Sequence, residues 1–585
     1  MTLRYAAALV FTFTFTASCF GAQAAEAQAQ PPAQAPQKVL RMFLSTSETG
    51  LDPAMASDNA TLSLLENLFD PLLRYDYLAR PAKLRPNTAS AMPQVSADGL
   101  TYTFRIRPGI YFTPDPAFKG VKREVTAADY VYSLGRLRDP SLRSPWSYLV
   151  EGKQLEAVDR YTLRIRLAAP DNNFLFYLAT PATGVVAREV IDAYPGQAGN
   201  HPVGTGPFMV KEWKRSDRIV LLANPYSTAV FHATPGDDPE DRAIAAALEG
   251  KRLPRVDRID VKIAEEFQGR MLGFLNGEYD YLEQIPESMT EMVVRDGALK
   301  PELAARGIVL SRFPVLQTYY MWMNMNDPVV GGYGKDKVAL RRAISMSYNS
   351  AQDIALLKKG FAIKAESPLP PNVLGYDPAY RSPVPYDPAL ANALLDRYGY
   401  DQRDADGFRR APGGKPLTLT MHSEATVGGR LRDELWRKCL NAIGLRVVFK
   451  SDKKTEIIKA SRLGTVQMFE SNWIADFPDG DNFYQLLYGP NAGRANYARF
   501  NLPEYNVRYE RARLLSDGAE RNKLYVEMNQ LIHAYNPWVP LTHVLSSDLR
   551  HPWLKNYKRH PVEFTTWRYL DVDVAQRARS ARAKR

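Results

Sequence analysis

Strict alternation of apolar and polar residues runs from Leu100 to Arg107, and again from Tyr161 to Leu167. A period of two gives each stretch one face for a core and one for water, so both are expected as half-buried strands. Helical stretches interleave with them. Ser57 to Phe69 sets Leu62, Leu65, Leu68 and Phe69 on one side, and Thr126-Ala127-Ala128-Asp129 is a capping box ahead of Val131 and Leu134. Asp387-Pro388 opens a helix through Leu390, Leu394, Leu395 and Tyr398 that Gly399 closes. Lys38 to Ser45 is expected as a strand. Pro108-Gly109 is expected to turn the Leu100 strand into a second one, Ile110 to Phe112, as a hairpin. Strands alternating with helices, without an internal repeat, predict a large α/β protein. The 585 residues allow roughly three or four lobes. The 42 prolines and 36 glycines are scattered as turn punctuation, so no flexible seam divides the chain. The exception is Ser227 to Pro254, read as a polar surface insertion with a short helix at Ala243 to Leu248.

The first residues point to export. Arg4 precedes an apolar stretch, Tyr5 to Phe20, and Ala22-Gln23-Ala24 fits a small-x-small cleavage site, so 1–24 reads as a signal peptide. Thr12, Thr14, Thr16 and Ser18 dilute the stretch too far for a permanent span. A second reading stands beside it. Thr16-Ala17-Ser18-Cys19 resembles a bacterial lipoprotein signal, with Thr16 where leucine is usual, so a lipid on Cys19 is the alternative to a free periplasmic protein. Residues 25–37, rich in Ala, Gln and Pro, read as a flexible lead-in. Cleavage after Ala24 leaves Cys439 alone, and its spacing with Leu431, Leu435 and Ile443 predicts a buried thiol on a helix face.

The formal net charge of +11 is concentrated at one end. Ala575 to Arg585 holds Arg577, Arg579, Arg582, Lys584 and Arg585 with no acid, and the body without them is nearly balanced. A solvated, frayed tail is the expectation, an anionic membrane surface its rival, and nucleic acid is not a partner on this reading.

Signatures of catalysis do not assemble. There is no GxSxG elbow and no GxxxxGK[ST] loop, and Gly204-Thr205-Gly206 meets Met209 where a dinucleotide fingerprint needs glycine. The seven histidines never fall at i, i+4, so helix-borne zinc is unsupported. Asp404-Ala405-Asp406-Gly407 suggests a calcium loop, but Gln402 and Gly413 stand where that register needs acids, and a turn reads better. No catalytic residue, metal or cofactor is expected. A secreted hydrolase stays open only as a remote alternative, through a spatially assembled acid pair.

Several segments together resemble a known family. Leu51-Asp52-Pro53, Glu66-Asn67-Leu68-Phe69-Asp70-Pro71-Leu72, Asp98 to Phe104 and Thr126 to Leu134 match the opening of the family-5 extracellular solute-binding proteins. Those are the peptide and dipeptide receptors of bacterial ABC importers. Pro202 to Phe208 with Trp213 and Asn224-Pro225-Tyr226, then Asn276 to Asp280, Arg341 to Ile344 and Trp473 to Asp479, continue the resemblance in the family's order over roughly 38–575. The Ser227 to Pro254 insertion and Asn324 to Gly332 depart from the generic text, which marks a divergent branch.

The resemblance implies an α/β, two-lobed periplasmic-binding-protein fold with two crossing segments and an inserted third α/β domain. Lobe I is then expected at 38–66, 198–318 and 545–585, the inserted domain II at 67–197, and lobe III at 319–544. The crossings are expected near Tyr319 to Trp322 and Pro540 to His543. It further implies a peptide-like ligand, bound between hinged lobes and handed to a membrane ABC permease by a monomeric receptor. Ser47-Glu48-Thr49 and Ser471-Asn472-Trp473 would supply strand-like edges for the ligand backbone, Trp473 a wall for a side chain, and Asp476 the partner of the peptide ammonium. Oligopeptide receptors of this type carry an arginine three residues before the tryptophan for the far carboxylate. Here Glu470 stands there, with Arg462 as a nearby candidate cation. That departure keeps open a non-peptide solute on the same scaffold: a nickel chelate, haem, an opine or an oligosaccharide.

Overall fold

Three sheets organise most of the chain. The computed structural model describes residues 36–295 and 297–582; the expected signal peptide, including Cys19, lies outside these residues.

In the first sheet Val39–Leu44 runs parallel to Arg258–Ile263, followed by Arg218–Ala223 and Phe208–Lys214. Leu40, Phe208, Leu221 and Val261 from these strands share a core with Leu62, Leu65 and Leu68 of the helix Asn59–Leu68. That helix starts where Asp58 accepts the Thr61 amide at 2.8 Å, a side-chain cap for an otherwise orphaned donor. Gly204 and Gly206 are there for proximity. A β-carbon on Gly204 would lie 2.0 Å from the Leu68 carbonyl, and one on Gly206 2.4 Å from that of Asn67; only glycine lets this segment reach the helix end.

The second sheet places Thr101–Arg105 between Gln94–Val95 and Thr162–Arg166, with Gln154–Ala157 outside. Tyr102, Phe104, Leu163 and Ile165 point into a core shared with Tyr130 and Leu134 of the helix Ala127–Arg136. The capping box forms, with the Thr126 amide donating to Asp129 Oδ2 at 2.7 Å. The hairpin expected at Pro108-Gly109 does not form. The Gly109 amide donates to Glu124 Oε1 (2.7 Å), and Ile110 and Phe112 exchange hydrogen bonds with Val125 and Arg123. A turn signal fixes where a strand stops, but its partner is chosen by tertiary packing.

The third sheet has seven strands. Val309–Met323 and Trp538–Arg550 run antiparallel through its middle, with Tyr281–Leu282 and Ala362–Lys364 on one flank and Met468–Ile474, Leu419–Glu424 and Val447–Asp452 on the other. Separate cores cover its faces, one around Trp322, Phe469 and Phe483, the other around Met321, Leu340 and Trp436. Trp538 is buried and stacked on Tyr320, with ring centroids 3.6 Å apart. Pairing between the two long strands loses register between Pro314 and Thr318.

Three smaller expectations change. The Ser227 to Pro254 insertion is more than polar surface. Its helix is longer, Pro239–Leu248, and Phe231, Ile244 and Leu248 pack with Tyr77, Leu78 and Tyr569. The basic tail is not frayed over its described length. Val574–Arg582 is helical because Arg577 pairs with the buried Asp280 at 2.5 Å, a carboxylate that needs a cation there. On the helix Val427–Ala442, Cys439 and Leu435 are buried as expected, but Leu431 is exposed. Asp404 to Gly407 is the expected turn, with Asp404 Oδ1 accepting the Asp406 and Phe408 amides and Gly407 at φ 84°.

Candidate functional site

Strand Met468–Ile474 pairs with Val309–Met323 along its whole length on one side, but with Leu419–Glu424 only at Met468 and Phe469 on the other. From Ser471 to Ile474 the second edge has no strand partner among the described residues, and so presents unpaired backbone donors and acceptors. Asn472 turns its amide oxygen to the Lys454 ammonium (3.3 Å), which also reaches Glu424 (3.4 Å).

Beyond the strand, a loop aims Trp473 and Asp476. Buried Asn482 orients both: its Oδ1 accepts the Trp473 indole N–H at 2.7 Å and the Asp476 amide at 3.2 Å, and its Nδ2 donates to Asp476 Oδ2 at 3.3 Å. The loop is clamped from below by Asp479, buried and gripped by both Arg521 Nη atoms at 2.7 and 2.5 Å. Asp476 is open to water on one side yet hemmed in by protein. Desolvation lifts its carboxyl above the ordinary carboxylate range, and the Asn482 hydrogen bond offsets only part of that. No charged group among the described residues counters it. A partly desolvated carboxylate without a cation is a ready receptor for an ammonium group.

Rings from the segment 148–177 pack against this loop, a contact that sequence reasoning missed. Phe477 stacks on Phe176 (centroids 6.1 Å) and meets Tyr177 edge-on (6.2 Å). Tyr148, 54% exposed, lies 6.4 Å from the Tyr177 ring. Burial raises its phenol pKa, and the Asp476 charge raises it further, which places the two near one another. Asn173 Nδ2 reaches Asp481 at 3.0 Å. Nothing in the Ser147-Tyr148-Leu149 text singles out this ring, and nothing in Asp481-Asn482-Phe483 singles out Asn482.

Glu48 and Thr49 belong to the loop after Val39–Leu44, at the carboxyl end of a parallel strand, where open α/β sheets gather ligands. Glu48 is buried. Its Oε1 accepts the Trp213 indole N–H at 2.6 Å, while Oε2 is buried without a partner. Thr49 donates its hydroxyl to Asp58 (2.8 Å) and its amide to Thr61 (2.9 Å). Burial acts to raise the Asp58 carboxyl, but the Thr61 and Thr49 hydrogen bonds outweigh it and hold the group below its usual range. Ser47 to Thr49 is loop and not strand, and its Thr49 amide is already bonded to Thr61, whereas Ser471 to Trp473 lies in a strand.

Arg462 lies apart. It is exposed in the last turn of Lys454–Leu463, at the Met468 end of the strand, roughly 17 Å of strand rise from Trp473. Glu470 points to the opposite face from Trp473, where Trp436 Nε1 donates to it at 2.9 Å and Arg432 pairs with it at 3.6 Å.

A break in strand pairing adjoins these residues. Where the long strands lose register, the Leu316 carbonyl accepts the Ala475 amide at 2.9 Å. At the same level buried His543 shares a 3.0 Å hydrogen bond with Thr318, its imidazole pushed down to about 3 by burial. A cavity of about 540 Å³ opens elsewhere, on the first sheet between Arg41, Lys214 and Lys262, and holds none of these residues. Among the described residues no three His, Cys, Asp or Glu side chains cluster to hold a metal, and no helix is long and apolar enough to cross a membrane.

Comparison with known proteins fits this geometry. The model of the bacterial extracellular solute-binding proteins, family 5, matches residues 83–495. Di/tripeptide-binding protein 2 of Pseudomonas aeruginosa is 28% identical, over 94% of this chain and 97% of that one. Heme-binding protein A of Haemophilus influenzae is 25% identical, over 82% and 83%. The solved structure of HbpA2 from Haemophilus parasuis superposes with a TM-score of 0.77 at 20% identity, covering 92% of this chain and all of that one, a likeness of fold.

Proposed function

The chain belongs to the bacterial extracellular solute-binding proteins of family 5, and on that premise we propose that it is a periplasmic receptor for a peptide-like ligand, which it delivers to a membrane ABC permease. The observation that carries this reading is Asp476, a partly desolvated carboxylate without a cation, set one loop beyond an open strand edge. A peptide adding along Ser471 to Trp473 brings its ammonium to Asp476, with Trp473 and Tyr148 beside its first side chain and Glu48 and Thr49 meeting it from the other lobe. Because the strand register breaks at 315–317, next to Ala475, a ligand that bridges both lobes favours the closed arrangement. Arg462 takes part only for an extended ligand of about six residues, the length needed to reach the Met468 end. The protein acts as a monomer and releases its ligand unchanged.

Thermal-shift titration with matched peptides tests this. Free-amino dipeptides and tripeptides raise the melting temperature, and their N-acetylated forms do so far less; equal shifts would discard the Asp476 role. Mass spectrometry after incubation recovers the peptide intact, whereas cleavage products would convert the receptor into a hydrolase. A second reading, a non-peptide solute on the same scaffold, is favoured by one observation. Glu470, standing where an arginine was expected for a carboxylate, is occupied by Arg432 and Trp436.

A further inference from the structure

The last described helix, Val574–Arg582, carries three arginines and no acid. Arg577 is pinned inward, with Nη2 on Asp280 at 2.5 Å and Nη1 on the Val39 carbonyl at 2.8 Å. At about 100° per residue, Arg579 and Arg582 lie about 200° and 140° around the helix from it. Both therefore project from the opposite face, and both are exposed. Lys555 joins them, its ammonium bonded only to neutral oxygens, those of Gln576 (2.8 Å) and Pro552 (2.7 Å). The nearby acids are already engaged. Asp571 pairs with Lys38 at 2.7 Å, Asp573 accepts the Gln576 amide at 2.8 Å, and Asp280 holds Arg577. The sequence continues with Lys584 and Arg585.

A protein partner normally finds an aromatic or aliphatic centre to bury. This helix offers none: its apolar residues are Val574, Ala575, Ala578 and Ala581. Spaced cations without an apolar centre suit a diffuse negative surface instead. The chain also enters the folded body at this corner, because Lys38 and Val39 are the residues tied to Asp571 and Arg577.

We propose that the outer face of Val574–Arg582, with Lys555, docks electrostatically on an anionic phospholipid bilayer and turns the entry corner of the chain toward the membrane. This goes beyond the receptor reading and does not depend on the ligand. Co-sedimentation of the full mature chain with vesicles tests it. Binding is expected to phosphatidylglycerol-rich vesicles, not to pure phosphatidylcholine, and is expected to vanish at high ionic strength. Arg579→Ser with Arg582→Ser weakens partition about 25-fold, at about fivefold per arginine near such a surface, and leaves peptide-induced thermal shifts unchanged. Arg105→Ser with Arg166→Ser, an equal charge loss on the exposed side of the second sheet, leaves partition unchanged. Equal binding to neutral vesicles, no effect of the Arg579/Arg582 pair, or an equal effect of the Arg105/Arg166 pair overturns the proposal. So does capture by an acidic protein with no partition onto vesicles.

Discussion

The inserted domain has two unlike neighbours. Toward the first lobe it is bolted: Arg136 grips Asp52 through two bonds of 2.9 and 2.7 Å, both groups buried, while Ser144 and Trp146 donate to the Ala54 and Ala56 carbonyls. The insertion adds a strap, with the Thr234 amide on Asp76 at 2.9 Å. Toward lobe III it offers the Asn172 and Asn173 amides and the rings around Phe477. A buried bidentate ion pair cannot open without stranding charge in a dry interior. Neutral amides and ring edges exchange for water at little cost. The difference teaches which contact is costlier to open: the buried Arg136–Asp52 pair, more than the Asn172, Asn173 and Phe477 contacts.

Four measurements break or sharpen that contrast. Arg136→Ala strands Asp52 and should cost about 3–5 kcal/mol in urea unfolding; a loss below about 1 kcal/mol would mean that the seam is not bolted. Asp476→Asn should weaken free-amino peptides by about 10- to 100-fold in calorimetry, the worth of a charge-assisted hydrogen bond, with stability little changed because the group is bonded only to Asn482. Phe477→Ala removes two ring contacts worth about 0.5–1.5 kcal/mol each; X-ray scattering of the ligand-free chain should then report a larger radius, and an unchanged radius would mean that these rings do not hold the contact closed. The last measurement concerns pH. Burial, reinforced by the Glu563 charge, pushes the Glu66 carboxyl up to about 8. The folded chain keeps this proton over a range where the unfolded chain has lost it, so the stability contribution falls as pH rises from about 4.5 to 8. Glu66→Gln should flatten that slope, and an unaltered slope would assign it to other groups.

Much of the fold was legible before the coordinates. Period-two runs at Thr101–Arg105 and Thr162–Arg166 and caps at Thr126 and Asp387 are local signals, and local signals survive tertiary packing. The hairpin at Gly109 failed because a turn constrains its own dihedrals and not the strand it delivers. In the site, Trp473 and Asp476 stood in a recognisable segment. Tyr148 did not, since only the approach of a second domain makes an exposed tyrosine part of a wall. Arg432 was hidden for the same reason: its relation to Glu470 runs between a helix and a strand that the sequence separates by 38 positions.

The corner where Lys38 meets Asp571 and Arg577 meets Val39 has a use beyond any membrane contact. Segments this close can be joined by a brief glycine-serine bridge and the ring recut at an exposed turn, such as Asp404 to Gly407. A circular permutant of that kind would carry a fluorescent reporter at that turn, and a colour change on adding peptide would report ligand capture.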